Sequence, residues 1–301
     1  MSDTSSTFNI ENVSIVKKVE TNSGKIISIC PLEDERIAIS SLGEITIYNL
    51  EKDKIDFVIK GNNEDKNILS LLRNGNLLSC CNGEIIIYKI KEDSYEVIDK
   101  IENIGGNISK AIELHNRNII ILSEGFYIYK KDQEKKKYVL DHKNMDGRLY
   151  NDVIQINDNL IALVTQQGKM IRYFDKNSWT VPKIVVSYQK YSSFNNCLLK
   201  YDSDYFIIGG DKKLYLINLE DYRTKQDLDV QYEISSICRI KGNVFLTTGK
   251  EGTITQWKME NNEIIKQYEK ENLVTGECRC LEYLDNGKIL MNDSNKLVIL
   301  E

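Results

Sequence analysis

An apolar segment ending in a bulky side chain recurs seven times along the 301-residue chain: EITIYN to Tyr48, EIIIYK to Tyr88, GFYIYK to Tyr129, KMIRYF to Tyr173, KLYLIN to Ile217, TITQWK to Trp257 and KLVIL to Leu300. The intervals between these end residues are 40, 41, 44, 44, 40 and 43 residues. A period of that size marks supersecondary units that cannot bury their apolar faces alone and must stack on their neighbours. The residues filling the units are mainly isoleucine, leucine, valine and 17 tyrosines, which fit a pleated surface better than a helix, and 2 prolines leave strands uninterrupted.

The rest of each unit repeats in phase. About a dozen residues before each segment lies a tight polar turn: Glu33-Asp34-Glu35, Asn74-Gly75-Asn76, Asn116-Arg117-Asn118, Asn157-Asp158-Asn159, Asp202-Ser203-Asp204, Gly242-Asn243 and Asn286-Gly287. Such residues suit the positive φ of hairpin turns. A second turn follows at Gly43, Gly83, Gly125, Gly168 and Gly252, with Lys212 and Asn295 in the two units that lack glycine. Six units continue into a more polar fourth strand: KIDFVIK, YEVIDKI, KYVLD, KIVVS, QDLDVQ and EIIKQY. The seventh has no room for one, because the sequence ends at Glu301. At the other end, the strand-like segment from Val13 to Glu20 has no place in the first unit, whose own first strand starts at Ile27. The expectation is therefore an all-β, seven-bladed β-propeller with four-stranded antiparallel blades, closed by the N-terminal strand pairing into the last blade. Residues 1–12 are expected to be a flexible tail and 13–301 a single domain.

Across residues 13 to 301 this pattern resembles the WD-repeat family, whose third strands end in an aromatic and a polar residue. Trp257-Lys258 keeps the tryptophan of that dipeptide, and Tyr48-Asn49, Tyr88-Lys89 and Tyr129-Lys130 are weaker matches. The glycine-histidine dipeptide typical of the family is absent. The resemblance implies the same closed ring of blades.

Chemistry is sparse. The two histidines, His115 and His142, are far apart in sequence and read as surface residues rather than ligands or bases. Cys278-Arg279-Cys280 and Cys80-Cys81 lack the second pair that would complete a tetrahedral metal site, and adjacent cysteines on a strand point to opposite faces. The odd count of seven cysteines reads as reduced, mostly buried thiols. No glycine-rich loop leads into a helix with a lysine, so no phosphate cradle is expected. A formal net charge of -5 predicts no attraction to nucleic acid. No apolar run is long enough to span a bilayer and the start MSDTSSTFNIENVS lacks a secretory pattern, so the expected location is cytoplasmic, with no membrane insertion. No cofactor is expected.

Binding is then the leading reading. Aligning the first strands places Ser28, Ser70, Lys110, Asp152, Asn196, Ser236 and Cys280 around the axis, a ring of mostly small polar residues broken by the charges of Lys110 and Asp152 on adjacent blades. These two are candidates for a channel-mouth salt bridge or a partner contact. The loops entering the first strands are varied, and the segments Asp141 to Asn151 and 188–191 carry Arg148, Tyr150, Tyr188 and Tyr191, residue types that dominate interface hot spots. The expected function is a non-catalytic scaffold, a single propeller within a complex, docking a protein or peptide on the loop face. The alternative is a hydrolytic propeller acting on a sugar or small molecule through channel carboxylates such as Asp152; a deep pocket with two carboxylates about 5–9 Å apart would distinguish it.

Overall fold

A computed structural model describes residues 8–21, 24–61, 67–102, 104–165, 170–175, 186–187, 197–249, 251–276 and 278–301; for 170–175 and 186–187 it describes the backbone alone. The chain is all-β. In chain order the strands are β1 (Ile15–Glu20), β2 (Ser28–Pro31), β3 (Arg36–Ser41), β4 (Glu44–Asn49), β5 (Lys54–Lys60), β6 (Ile68–Leu71), β7 (Leu77–Cys81), β8 (Glu84–Ile90) and β9 (Tyr95–Ile101). There follow β10 (Lys110–Glu113), β11 (Ile119–Lys131), β12 (Tyr138–Gln155), β13 (Leu160–Thr165), β14 (Met170–Asp175), β15 (Val186–Ser187), β16 (Cys197–Lys200), β17 (Tyr205–Gly210), β18 (Lys213–Asn218) and β19 (Thr224–Asp229). The last are β20 (Ile234–Arg239), β21 (Val244–Gly249), β22 (Ile254–Glu260), β23 (Glu263–Lys270), β24 (Leu281–Tyr283), β25 (Ile289–Asp293) and β26 (Lys296–Leu300).

These strands form six sheets, which corrects the expectation of seven blades. Five are four-stranded: β2 to β5, β6 to β9, β16 to β19, β20 to β23, and β24-β25-β26 completed by β1. The sixth runs β10-β11-β12-β13-β14-β15 and merges the third and fourth repeat units. The physical cause is β12. Its first part pairs with β11 (Lys131↔Tyr138, Phe126↔Asn144) and its last part with β13 (Asp152↔Val164, Gln155↔Ile161), while Glu124↔Leu149 bridges the stretch read from sequence as an entry loop. Gly125 makes the junction possible. Its φ of 107° suits glycine, and a Cβ there would sit 2.0 Å from the Asn144 carbonyl oxygen. Leu122, Phe126, Ile128, Tyr150, Val153 and Leu163 pack as one cluster of the composite sheet.

The N-terminal strand closes the ring. β1 pairs antiparallel with β26, from Ile15↔Leu300 to Glu20↔Lys296, with a bulge between Ile15 and Lys17. Lys296 bridges to Glu20 at 2.8 Å and Lys18 to Asp293 at 3.1 Å. Among the described residues, packing also includes Phe8 and Ile10, ahead of this strand. A 3-10 turn over Ile10–Asn12 places Ile10, fully buried, among Leu246, Cys278, Leu281 and Val298. The Gln256 side chain accepts from the Ile10 N–H at 2.9 Å and donates to the Phe8 carbonyl at 2.9 Å. The innermost strands β2, β6, β10, β12, β16, β20 and β24 lie beside one another in that order, with β24 returning to β2. None of the seven cysteines forms a disulfide.

One unit carries a buried polar network. Trp257 Nε1–H donates to Thr247 Oγ1 at 2.8 Å, and the Tyr232 hydroxyl lies 2.7 Å from both Thr247 Oγ1 and Thr255 Oγ1. Thr255 in turn donates to Glu269 Oε2 at 2.8 Å. Gly249 leaves room for the tyrosine, since a Cβ there would approach the Tyr232 ring to 2.5 Å. Thr247→Val keeps the shape but strands the buried indole N–H and takes one of its two partners from the tyrosine hydroxyl, which still donates to Thr255. It is expected to lower unfolding free energy by about 1–3 kcal/mol. Urea denaturation of the variant beside the wild type measures this, and coincident curves would show that the network contributes nothing.

Candidate functional site

The strand register defines the axial ring. Ser28↔Ser40 in the first unit is matched by Ile68↔Cys80, Lys110↔Leu122, Asp152↔Val164, Cys197↔Gly209 and Ser236↔Thr248. Ile68 therefore takes the place assigned by sequence to Ser70, and Cys197 the place assigned to Asn196, which lies outside the described residues. Together with Cys280 these side chains line an axial cavity of about 370 Å³.

Most polar groups of the ring stitch neighbouring inner strands together. Ser28 Oγ accepts from the Leu69 N–H at 3.2 Å, and Asp152 Oδ2 accepts from the Leu198 N–H at 2.8 Å. Ser109 donates to the Tyr150 carbonyl, Ser235 to the Cys278 carbonyl and the Cys280 thiol to the Ile27 carbonyl. Asp152 also accepts from the Val153 N–H at 2.8 Å, so both of its oxygens are committed to backbone. Lys110, whose head group is wetted by the channel, stands 3.6 Å from Asp152; that carboxylate is the main reason its pKa is raised. The expected adjacency of Lys110 and Asp152 is present as an ion pair.

Sequence reasoning missed Glu282. It lies two residues beyond Cys280 on β24 and lines the same cavity. Burial pushes its carboxyl up to about 7, only partly offset by the Lys110 ammonium. The signal was available: positions two residues past the ring read Cys30, Ser70, Ile112, Ile154, Leu199, Cys238 and Glu282, a layer with one ionisable acid.

On the loop face, Arg148 and Tyr150 have different fates. Asp146 accepts from the Arg148 N–H at 3.1 Å and its guanidinium at 3.3 Å, and from the Tyr150 hydroxyl at 2.7 Å. Tyr150 is fully buried, whereas Arg148 is half exposed. Met145 and Leu149, close to it in sequence, are 47% and 43% exposed, whereas Tyr150, expected as a partner contact, belongs to the core. Tyr188 and Tyr191 lie outside the described residues. On the same face, Lys25, Leu42 and Arg279 border a cleft of about 290 Å³. The opposite, turn-bearing face carries a groove of about 760 Å³ where His115 Nδ1 meets Asp158 at 2.8 Å. His142 sits on β12 with its ring 6.0 Å from that of Phe126, and burial lowers its pKa. Among the described residues no group of His, Cys, Asp and Glu could hold a metal ion. Nor is any helix among them long and apolar enough to cross a membrane.

Radial antiparallel sheets around an axial channel, closed by a strand from the opposite terminus, define a β-propeller, and the fold is of the WD40 kind. A chain in the crystal structure of the mitotic checkpoint complex superposes with a TM-score of 0.81 at 10% identity, over 95% of this chain and 93% of that one. The WD40 β-propeller domain of Doa1 superposes with a TM-score of 0.76 at 13% identity, over 96% of each chain. Because 1507 chains of solved structures match, the likeness specifies a fold and no single activity. No protein-family model and no curated protein matches the sequence.

Proposed function

We propose that this propeller is a non-catalytic interaction scaffold that docks a protein or peptide on its loop face. The observation that carries this reading is the exposed pair Met145 and Leu149 around Arg148, in a bulge of β12 that is anchored at both ends by pairing with β11 of the six-stranded sheet. Apolar side chains held rigidly beside an arginine lose little entropy on binding. The similarity to a chain of the mitotic checkpoint complex, by its name a multi-component assembly, points the same way. Seven cysteines without a disulfide are in keeping with an intracellular setting.

The hydrolytic alternative needs two available carboxylates. In the channel Asp152 is engaged by two backbone N–H groups and Lys110, which leaves Glu282 alone. The scaffold reading is tested by affinity purification of the intact protein beside Met145→Asp, Arg148→Ala and Leu149→Asp. A co-purifying partner should bind the variants about 1–3 kcal/mol more weakly at one or two positions, with the thermal midpoint unchanged. If every partner is retained by all three, the loop-face reading fails.

A further inference from the structure

The residues ahead of β1 are held as a bound peptide is held. Residues 8–13 belong to no sheet, and their backbone polar groups are met by side chains instead. Gln256, buried in β22, accepts from the Ile10 N–H at 2.9 Å and donates to the Phe8 carbonyl at 2.9 Å. Its amide also donates to Gln267 Oε1 at 2.8 Å, which fixes the orientation in which it meets the segment. Lys270, the last residue of β23, donates to the Glu11 carbonyl at 3.2 Å and to the Val13 carbonyl. A side-chain amide that accepts from and donates to one extended segment does what a neighbouring strand does in peptide recognition by strand addition.

The side chains of the segment divide into read and unread positions. Ile10 fills the seam between the β20–β23 sheet, at Leu246 and Ile254, and the last sheet, at Leu281 and Val298. The Phe8 ring meets the Tyr283 ring edge-on, with centroids 5.9 Å apart. Glu11 and Asn12 are exposed, and the Asn9 side chain accepts from the Glu11 N–H at 2.8 Å, shaping the turn. All of these partners outside the segment lie on β21 to β24 and β26. The segment is also separable from β1. Ser14 and Glu301 exchange backbone hydrogen bonds of 2.9 and 3.0 Å where the closing ladder starts, so residues 8–13 can leave without breaking a ladder bond. We propose that this seam is a peptide-binding site, filled by the chain's own residues 8–13, that takes an extended segment of a partner protein carrying an aromatic residue and, two positions later, an isoleucine-like aliphatic. The chemistry of the occupant is that of the segment already seated there. The tethered segment is then an internal competitor, present at an effective concentration on the order of millimolar. This site is independent of the loop-face docking reading, because it uses none of Met145, Arg148 or Leu149.

The test uses the full chain and a fluorescein-labelled peptide of residues 8–14, Phe-Asn-Ile-Glu-Asn-Val-Ser. Ile10→Ala weakens the internal competitor, so this variant should bind the peptide about tenfold more tightly than the wild type, and the peptide should raise its thermal midpoint towards the wild-type value. A peptide with aspartate in place of its isoleucine should do neither. Adding Gln256→Leu to Ile10→Ala removes two hydrogen bonds and should weaken peptide binding by about tenfold or more. In the unmutated protein, unlabelled peptide at a concentration on the order of millimolar should speed hydrogen exchange at the Ile10 amide while the ladder amides of β1 stay protected. The proposal is overturned if the peptide neither binds Ile10→Ala nor raises its midpoint, if the aspartate peptide acts equally, if Gln256→Leu leaves binding unchanged, or if exchange at Ile10 is unaltered or rises only together with the β1 amides.

Discussion

Deleting residues 1–20 is expected to yield a chain that aggregates or melts far below the intact protein. The deletion acts twice. It removes β1 from the last sheet, so that β26 becomes an open edge whose unpaired N–H and C=O groups invite intermolecular pairing. Lys17 and Lys18, charged residues beside a bulge on the present edge, are lost with it. The deletion also extracts Ile10 and Val13 from the apolar cluster that includes Leu246, Leu281 and Val298, and it leaves the Gln256 amide and the Lys270 ammonium without their backbone partners in the segment.

Burial of Ile10 alone sets a scale. Truncation of a fully buried isoleucine costs about 2–5 kcal/mol, against a total stability of about 5–15 kcal/mol for a typical domain. Ile10→Ala therefore separates the plug from the strand. It should lower the midpoint markedly while leaving solubility intact, and the full deletion should lose both. Scanning calorimetry and the monomer fraction by size-exclusion chromatography read the two effects. A deletion variant as stable and monomeric as the full chain would refute closure by the N-terminal strand.

The second large effect is a pH dependence centred on Glu282. The carboxyl has a folded-state pKa near 7 against an ordinary value of 4.5, so the folded protein holds this proton more tightly than the unfolded chain. The stability that comes from the protonated group is fully present below about 4.5 and is lost as pH rises through 7. At about 1.4 kcal/mol per unit, the wild type should lose about 3 kcal/mol from this group between pH 4.5 and 8.5. Glu282→Gln cannot ionise and should not lose it. The informative quantity is the difference in unfolding free energy between variant and wild type at each pH, because groups such as His142 contribute equally to both and cancel. That difference should grow in favour of the variant by about 2–3 kcal/mol across the window. Parallel stability profiles for the two proteins would show that Glu282 titrates as an ordinary surface carboxyl.

The two predictions divide along what sequence could and could not show. Strand-forming segments, their turns and the pairing of the N-terminal strand with the last unit were legible, because they rest on local period, turn chemistry and one unpaired segment at each end. The adjacency of Lys110 and Asp152 was legible for the same reason, as both sit at one position of neighbouring repeats. The register of the ring was not. Cross-strand pairing set it: Cys197 replaces Asn196 by a one-residue shift, which turns a strand's side chains to the other face, while Ile68 replaces Ser70 by a two-residue shift, which keeps the face and changes only the level along the axis.

The sheet count and the character of the site were likewise decided by tertiary structure. Met145-Asp146-Gly147-Arg148 has the composition of a turn and bulges as one, with Gly147 at φ 69° and four residues opposite Gly125 alone, yet it does not separate two sheets, because Glu124 of β11 pairs with Leu149 and Phe126 with Asn144 on either side of it. Tyr150 is indistinguishable in sequence from an exposed hot-spot tyrosine, and only the packing of Phe126, Val153 and Leu163 around it makes it core. Glu282 is one of 45 acidic residues until seven inner strands enclose it. Its altered proton affinity is a property of that enclosure, since desolvation depends on what surrounds a charge and not on the residues that precede and follow it.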